Sequence, residues 1–152
     1  MENVLIRECT HEDVDEVLQL DRQWEEENIA REFVFVSREE FIADLERFQT
    51  FFLVAESNGS LVGYINGSVR LSREGVAVIP EQEPYLEIEN IYVKPDFRNR
   101  HIGGKLMERL LEVAEQNGIQ RFLVATDSKD MDKVLNFYRR HGFQLWYVRM
   151  FK

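Results

Sequence analysis

A single cysteine, three prolines and eight glycines in 152 residues close off several architectures at once. One cysteine, Cys9, forms no internal disulfide and furnishes no zinc site, so the chain is not a small scaffold held by crosslinks. No window approaches the roughly 18 to 20 apolar residues of a membrane-spanning helix. Met1-Glu2-Asn3 also lacks the basic region and apolar run of a signal peptide, so a cytoplasmic location and no membrane partner are expected. Basic residues are scarce, 19 against 28 acidic ones for a net charge of −9, which argues against nucleic acid as a partner. What is present, 44% hydrophobic and 31% charged residues, is the profile of one domain, expected over residues 1–152, with a core of its own.

Periodicity divides this chain into alternating elements. Residues 4–7 read as a short strand. Thr10 with Asp13 resembles a capping box opening a helix through Val14, Val17, Leu18 and Leu20 that fades near Trp24. Ser37 with Glu40 opens a second helix over Phe41, Ile42, Leu45 and Phe48. Two β-rich runs, 51–56 and 61–69, flank Ser57-Asn58-Gly59-Ser60, a hairpin signal. Residues 72–84 hold Pro80 and Pro84 and read as a loop, followed by a strand over 85–93 ended by Pro95. From Ile102 an apolar stripe of Leu106, Leu110 and Val113 predicts a helix that stops at Asn117-Gly118. Residues 121–126 read as a buried strand, 131–140 as a short helix closed by Gly142, and 143–151 as a last strand. The order implies an α/β fold with a mixed sheet, in which strand 85–93, the Ile102 helix and strand 121–126 make one right-handed crossover. Ligands of such units sit at the carboxyl end of the first strand, here residues 94–104.

That loop is where the positive charge gathers: Lys94, Arg98, Arg100, His101 and Lys105, opposed only by Asp96. A strand leaves into a turn, and the turn opens a helix whose first N–H groups have no intrahelical partners. Gly103 and Gly104 sit in the first helical turn, where a missing Cβ lets backbone approach an anion. Two readings stand on this chemistry, a phosphate-binding turn or a basic helix start without a ligand. Neither G-x-x-x-x-G-K-S/T nor G-x-G-x-x-G occurs, so the loop is not a P-loop or a dinucleotide fingerprint.

The stretch YLEIENIYVKPDFRNRHIGGKLM, residues 85–107, resembles the acetyl-CoA-binding core of the GNAT superfamily of N-acetyltransferases, whose signature is Q/R-x-x-G-x-G/A after a strand. Arg98 stands at its first position and Gly103 at its last, while His101 takes the place of the first glycine. NFYRRHGF, residues 136–143, resembles the family's late F-Y-x-x-x-G-F segment. The resemblance implies a GNAT-type mixed, mostly antiparallel twisted sheet flanked by helices, with the central β-α-β crossover forming the acetyl-CoA cleft. It implies that strand 85–93 splays from 121–126, and that pantetheine lies in the gap along Ile91, Tyr92 and Val93. The pyrophosphate would then sit on the N–H groups from Asn99 to Gly104, within a cofactor-binding stretch of Arg98, Asn99, Arg100, His101, Ile102, Gly103, Gly104 and Lys105.

Acetyl transfer to an amine needs a proton acceptor, a polarised carbonyl and a stabilised thiolate. Glu87 and Glu89 share one side of a strand with unbroken alternation and align with positions that supply the base in family members, with Glu89 favoured. Their other reading is a solvated strand face. Tyr138 matches the family's proton donor to the leaving thiolate, its other reading being a core aromatic of the last helix. The implied activity is direct, acetyl-CoA-dependent transfer to a primary amine of a small molecule or peptide, with no metal. The rival class is a non-catalytic acyl-CoA-binding sensing or scaffold module. A homodimer is compatible with either. Glu25-Glu26-Glu27 and the acidic residues of 81–89 suggest a cationic acceptor or a solvated surface. Trp24, Phe33 and Phe35 lie in the segment that borders the acceptor site in the superfamily. Cys9 reads as a core filler, and His11, His101 and His141 lack metal-ligand spacing.

Overall fold

In the computed structural model, which describes residues 3–30, 32 and 36–152, local chemistry decides where each helix begins. Ser37 Oγ accepts from the Glu40 amide at 3.2 Å and the Glu40 carboxylate accepts from the Ser37 amide at 2.9 Å, opening α2 (Arg38–Phe48). The Asp13 carboxylate accepts from the Thr10 amide at 2.8 Å and is gripped by Arg7 of β1 (Val4–Glu8). A short 3-10 turn there leads into α1 (Val14–Glu27). The first helix does not fade at Trp24. It runs three residues further and stops at Asn28, whose φ of 52° is left-handed, a conformation asparagine tolerates.

β2 (Phe52–Ser57) and β3 (Ser60–Leu71) form the hairpin, turned by Asn58 and Gly59 with φ of 51° and 76°. β4 (Pro84–Val93) pairs antiparallel with β3, α3 (Ile102–Gln116) crosses over, and β5 (Phe122–Val124) returns parallel to β4 before α4 (Met131–Arg140). The sheet order is β1-β2-β3-β4-β5, antiparallel in every pair but the last. This is the mostly antiparallel mixed sheet that the resemblance implies, with its crossover at β4-α3-β5.

Each face of the sheet carries its own core. α3 and α4 cover one face over Leu53, Ile65, Leu86, Ile88, Leu106 and Leu110, while α1 and α2 cover the other over Val54, Tyr64, Tyr92, Val17 and Leu45. Cys9 is fully buried in the second core, where burial pushes its thiol up to about 12. No helix among the described residues is long and apolar enough to cross a membrane.

Two strand expectations change. β5 spans three residues rather than 121–126. Residues 143–151 form no strand: Phe143 packs against the first core, and 144–152 run exposed. Strand character in a sequence becomes a strand only when a neighbouring backbone completes the ladder, and among the described residues no segment pairs with this one. Phe33 and Phe35 lie outside the described residues.

Candidate active site

Pairing between β3 and β4 runs residue by residue from Leu71↔Pro84 to Gly67↔Ile88 and resumes at Asn66↔Asn90, so Glu89 is an extra residue on β4. Gly67 admits it, because a Cβ there would stand 2.9 Å from the Glu87 carbonyl oxygen. The bulge changes the phase of the strand. Leu86 and Ile88 before it, and Ile91 and Val93 after it, all pack toward α3, while Tyr92 joins the opposite core. Glu87, Glu89 and Asn90 consequently gather on one polar face. Arg70 reaches both carboxylates, Nε to Glu87 at 2.8 Å and Nη2 to Glu89 at 3.5 Å. Ser68 Oγ donates to Glu89 at 2.7 Å, Asn66 Nδ2 donates to it at 3.5 Å, and Asn90 Nδ2 donates to Asn66 Oδ1 at 3.1 Å. The sequence reading singled out none of Asn66, Ser68 and Arg70. Their only signal is cross-strand register, which the bulge conceals.

β5 accompanies β4 only as far as Ile88↔Val124, so beyond that point β4 has β3 on one edge and, among the described residues, a gap with no strand on the other. The Lys94 amide donates to the Val62 carbonyl, which fixes the alternation of the ladder. Backbone groups of Asn90 and Tyr92 turn toward β3, and those of Ile91 and Val93 turn into the gap. Tyr92 supports this edge from behind. Its ring stacks on Trp24 at 5.4 Å and its hydroxyl donates to Glu27 at 2.5 Å. Burial, reinforced by that carboxylate, pushes the Tyr92 pKa up.

After the 3-10 turn Pro95–Phe97 the loop carries left-handed residues at Asn99 (φ 59°) and His101 (φ 62°). Lys105 donates to the His101 carbonyl at 3.0 Å, whereas the amides of Ile102, Gly103 and Gly104 project from the end of α3. A Cβ on Gly103 would stand 3.6 Å from the Phe137 ring, and one on Gly104 3.8 Å from the His141 ring. Both are ordinary van der Waals distances, so protein packing tolerates a methyl group at either position, and the glycines add no side chain beside the amides at the helix start. That geometry fits a phosphate. His101 holds a conformation costing about 1 to 2 kcal/mol for a residue with a side chain. The Arg100 guanidinium lies 5.2 Å from the Phe97 ring centre, and Lys105 is exposed. His141, read from sequence only as lacking metal spacing, sits at the rim of this cradle, where burial lowers its pKa and keeps the ring neutral.

Arg98 spends its side chain elsewhere. Its Nε donates to the Val93 carbonyl at 2.8 Å, its terminal nitrogens hold the Glu27 carboxylate at 2.7 Å, and its guanidinium lies 5.5 Å from the Tyr92 ring centre. Burial opposes the Glu27 charge, yet Arg98 and Tyr92 outweigh it and the pKa is lowered. The acidic run is thus divided: Glu25 and Glu26 are exposed, while Glu27 ties the end of α1 to the cradle loop.

Tyr138 of α4 is 8% exposed, flanked edge-on by Phe137 at 5.4 Å and Phe143 at 5.6 Å. Burial pushes its phenol up to about 12, so it stays protonated and able to donate. It belongs to the α3 and α4 side of the sheet, opposite the face that carries Glu87 and Glu89. Past the gap, the Lys129 amide donates to the Ile29 carbonyl at 2.8 Å and the Glu32 amide to Asp127 Oδ2 at 2.8 Å, pinning the segment after α1 to the loop after β5.

Residues 12–143 match the model of the acetyltransferase (GNAT) family. The chain is 33% identical over 102 residues to an uncharacterised N-acetyltransferase of Methanocaldococcus jannaschii, covering 66% of this chain and 42% of that protein. It is 32% identical over 135 residues to the thialysine N-epsilon-acetyltransferase of Sus scrofa, covering 82% and 75%. Against the first three curated relatives the matched stretch spans only about half of their length, 42%, 53% and 49%. An aminoglycoside N-acetyltransferase solved in complex with CoA shares the fold at a TM-score of 0.75 and 18% identity, over 100% of this chain and 95% of that one. With the family model spanning both motif blocks and the crossover between them, the chain belongs to the GNAT acetyltransferase family.

Proposed function

We propose that the protein transfers an acetyl group from acetyl-CoA directly to a primary amine of a small molecule or peptide. The observation that supports this reading is the edge of β4 beyond Ile88, where backbone groups of Ile91 and Val93 turn away from β3, with carboxylates on one face of the sheet and a phenol on the other. Bound acetyl-CoA supplies a thioester, an acetyl group already activated toward a nitrogen nucleophile. The amides of Ile102, Gly103 and Gly104 hold the pyrophosphate, and the open edge of β4 aligns the chain behind it. Glu89, oriented by Ser68, accepts the proton that the amine loses, with Glu87 beside it. Tyr138 donates a hydrogen bond to the departing sulfur. With its phenol near 12 and a thiol near about 8.5, full proton transfer is uphill by about 5 kcal/mol, so its contribution is electrostatic.

One observation favours the non-catalytic alternative: Arg70 occupies both glutamates. Release of free thiol in a screen of primary amines, peptide N-termini and amino sugars decides between the two. Turnover with any acceptor class supports the enzyme; tight acetyl-CoA binding without turnover across all three favours the module.

A further inference from the structure

Among the described residues a cavity of about 210 Å³ is lined by Arg70, Leu71, Arg73 and Tyr85, the first of which also holds Glu87 and Glu89. Register fixes its side of the sheet. Arg70 stands opposite Tyr85 and Ser68 opposite Glu87, so Arg70 and Tyr85 share the face that carries the two carboxylates. Two features of the lining are left without a partner. Arg73 is exposed and its side chain pairs with none of the described residues, although Glu74, Glu81 and Glu83 belong to the same loop. Tyr85 belongs to neither core and is only 7% exposed, yet its hydroxyl bonds to no described group.

We propose that this cavity takes an oxyanion, a carboxylate or a phosphate, carried on a short chain by the primary amine that accepts the acetyl group, which makes the acceptor a small amino acid or an aminoalkyl phosphate; this rests on the acetyl-transfer reading above. Guanidinium groups recognise such anions through paired N–H donors, and a phenol adds a further donor. At about 30 Å³ per water, a volume of about 210 Å³ holds about seven waters, room for the anionic group and a short chain. The charges also close: Glu87 and Glu89 against Arg70 and Arg73 sum to zero, and a zwitterion adds nothing to the balance. A diamine would bring its second cation toward two guanidiniums. Arg70 gains a role in the same arrangement. In the free chain it holds both glutamates and opposes an incoming ammonium, whereas an oxyanion in the cavity draws the guanidinium away and leaves Glu89 to the amine. One ammonium proton then passes to Glu89, the carbon–nitrogen bond forms as the carbon–sulfur bond breaks, and a second proton from nitrogen ends on the departing thiolate.

Thiol release is measured with β-alanine, O-phosphoethanolamine, β-alaninamide and putrescine. Either anionic amine is expected to exceed both the amide and the diamine in kcat/KM by at least about tenfold, and the better of the two identifies the oxyanion. Arg73→Gln is expected to bring that ratio close to unity and Arg73→Lys to restore part of it, with an unchanged circular dichroism spectrum because the residue is exposed. Equal or faster turnover of the amide or the diamine, or a ratio indifferent to Arg73→Gln, overturns the anion site and leaves acetyl transfer standing. If none of the four turns over, calorimetry decides. Binding of an anionic amine that Arg73→Gln abolishes upholds the site and counts against catalysis; binding that Arg73→Gln leaves unchanged, or no binding up to about 10 mM, overturns the site.

Discussion

The two halves of the proposed cleft are made of different materials. The proposed coenzyme half is backbone: amides at the start of α3, left-handed residues at Asn99 and His101, glycines in the first helical turn, and the edge of β4 beyond Ile88. The proposed acceptor half is side chain: Glu87, Glu89, Arg70, Ser68, Asn66 and Asn90 on one polar face. A backbone site is fixed by where Cβ atoms are absent and by which elements meet, so it survives many substitutions and fails at few. A side-chain site depends on individual functional groups and changes with each of them. This is why the coenzyme half carries a readable motif and the acceptor half does not.

The sharpest test of that division lies on α4, where one side-chain atom serves the coenzyme half. Tyr138→Phe is expected to lower kcat by about 100-fold or more while leaving acetyl-CoA affinity by calorimetry nearly unchanged. An unchanged kcat would reduce Tyr138 to packing between Phe137 and Phe143. Next in size, Gly103→Val is expected to weaken CoA binding by at least about tenfold with an intact fold, because a branched side chain in the first helical turn hinders close approach of an anion to the amides. His101→Gly, by contrast, should bind as well as wild type and melt no lower, since glycine relieves a left-handed histidine. Equal loss in both variants would mean that side chains, not amides, hold the phosphate.

On the acceptor side, Glu89→Gln should erase the acidic limb of the kcat/KM profile, and Glu87→Gln should leave it in place. The same limb in both variants would hand the proton to bulk water. Smaller still is the effect of the link between the halves. Glu27 has a lowered pKa in the fold, so the stability it contributes is fully present above its ordinary value of 4.5 and is lost as pH falls through the lower folded value. Melting temperature is expected to decline below about pH 4.5 by an increment that Glu27→Gln lacks. Identical acid profiles for the two proteins would mean that the Arg98 contact contributes nothing to stability.

Helix starts, the hairpin and the crossover were legible because each rests on local chemistry: a serine three residues before a glutamate, an asparagine before a glycine, an apolar stripe ended by Asn117-Gly118. The cradle loop was legible through its glycines and its place after a strand. The role of Arg98 was not, because its partner Glu27 lies 71 residues away and reads as one member of a solvated run. The same holds for Arg70, whose register with Glu87 and Glu89 crosses a bulge that leaves no mark of its own in composition. Residues 143–151 carry strand chemistry without a strand, since pairing is a property of two segments rather than one. The acidic stretch 81–89 is also less negative in space than in sequence, with Glu83 on Arg121 and Glu87 and Glu89 on Arg70.

Removing Glu89 altogether would leave Leu86, Ile88, Ile91 and Val93 on the inner face and Glu87, Asn90 and Tyr92 on the outer one, in perfect alternation. The strand would become more regular and its ladder continuous. A chain shortened by that one residue is therefore expected to fold at least as well as the original, with catalysis lost. Glu89 is in this sense dispensable to the architecture: an extra residue in the ladder whose presence the architecture alone does not explain.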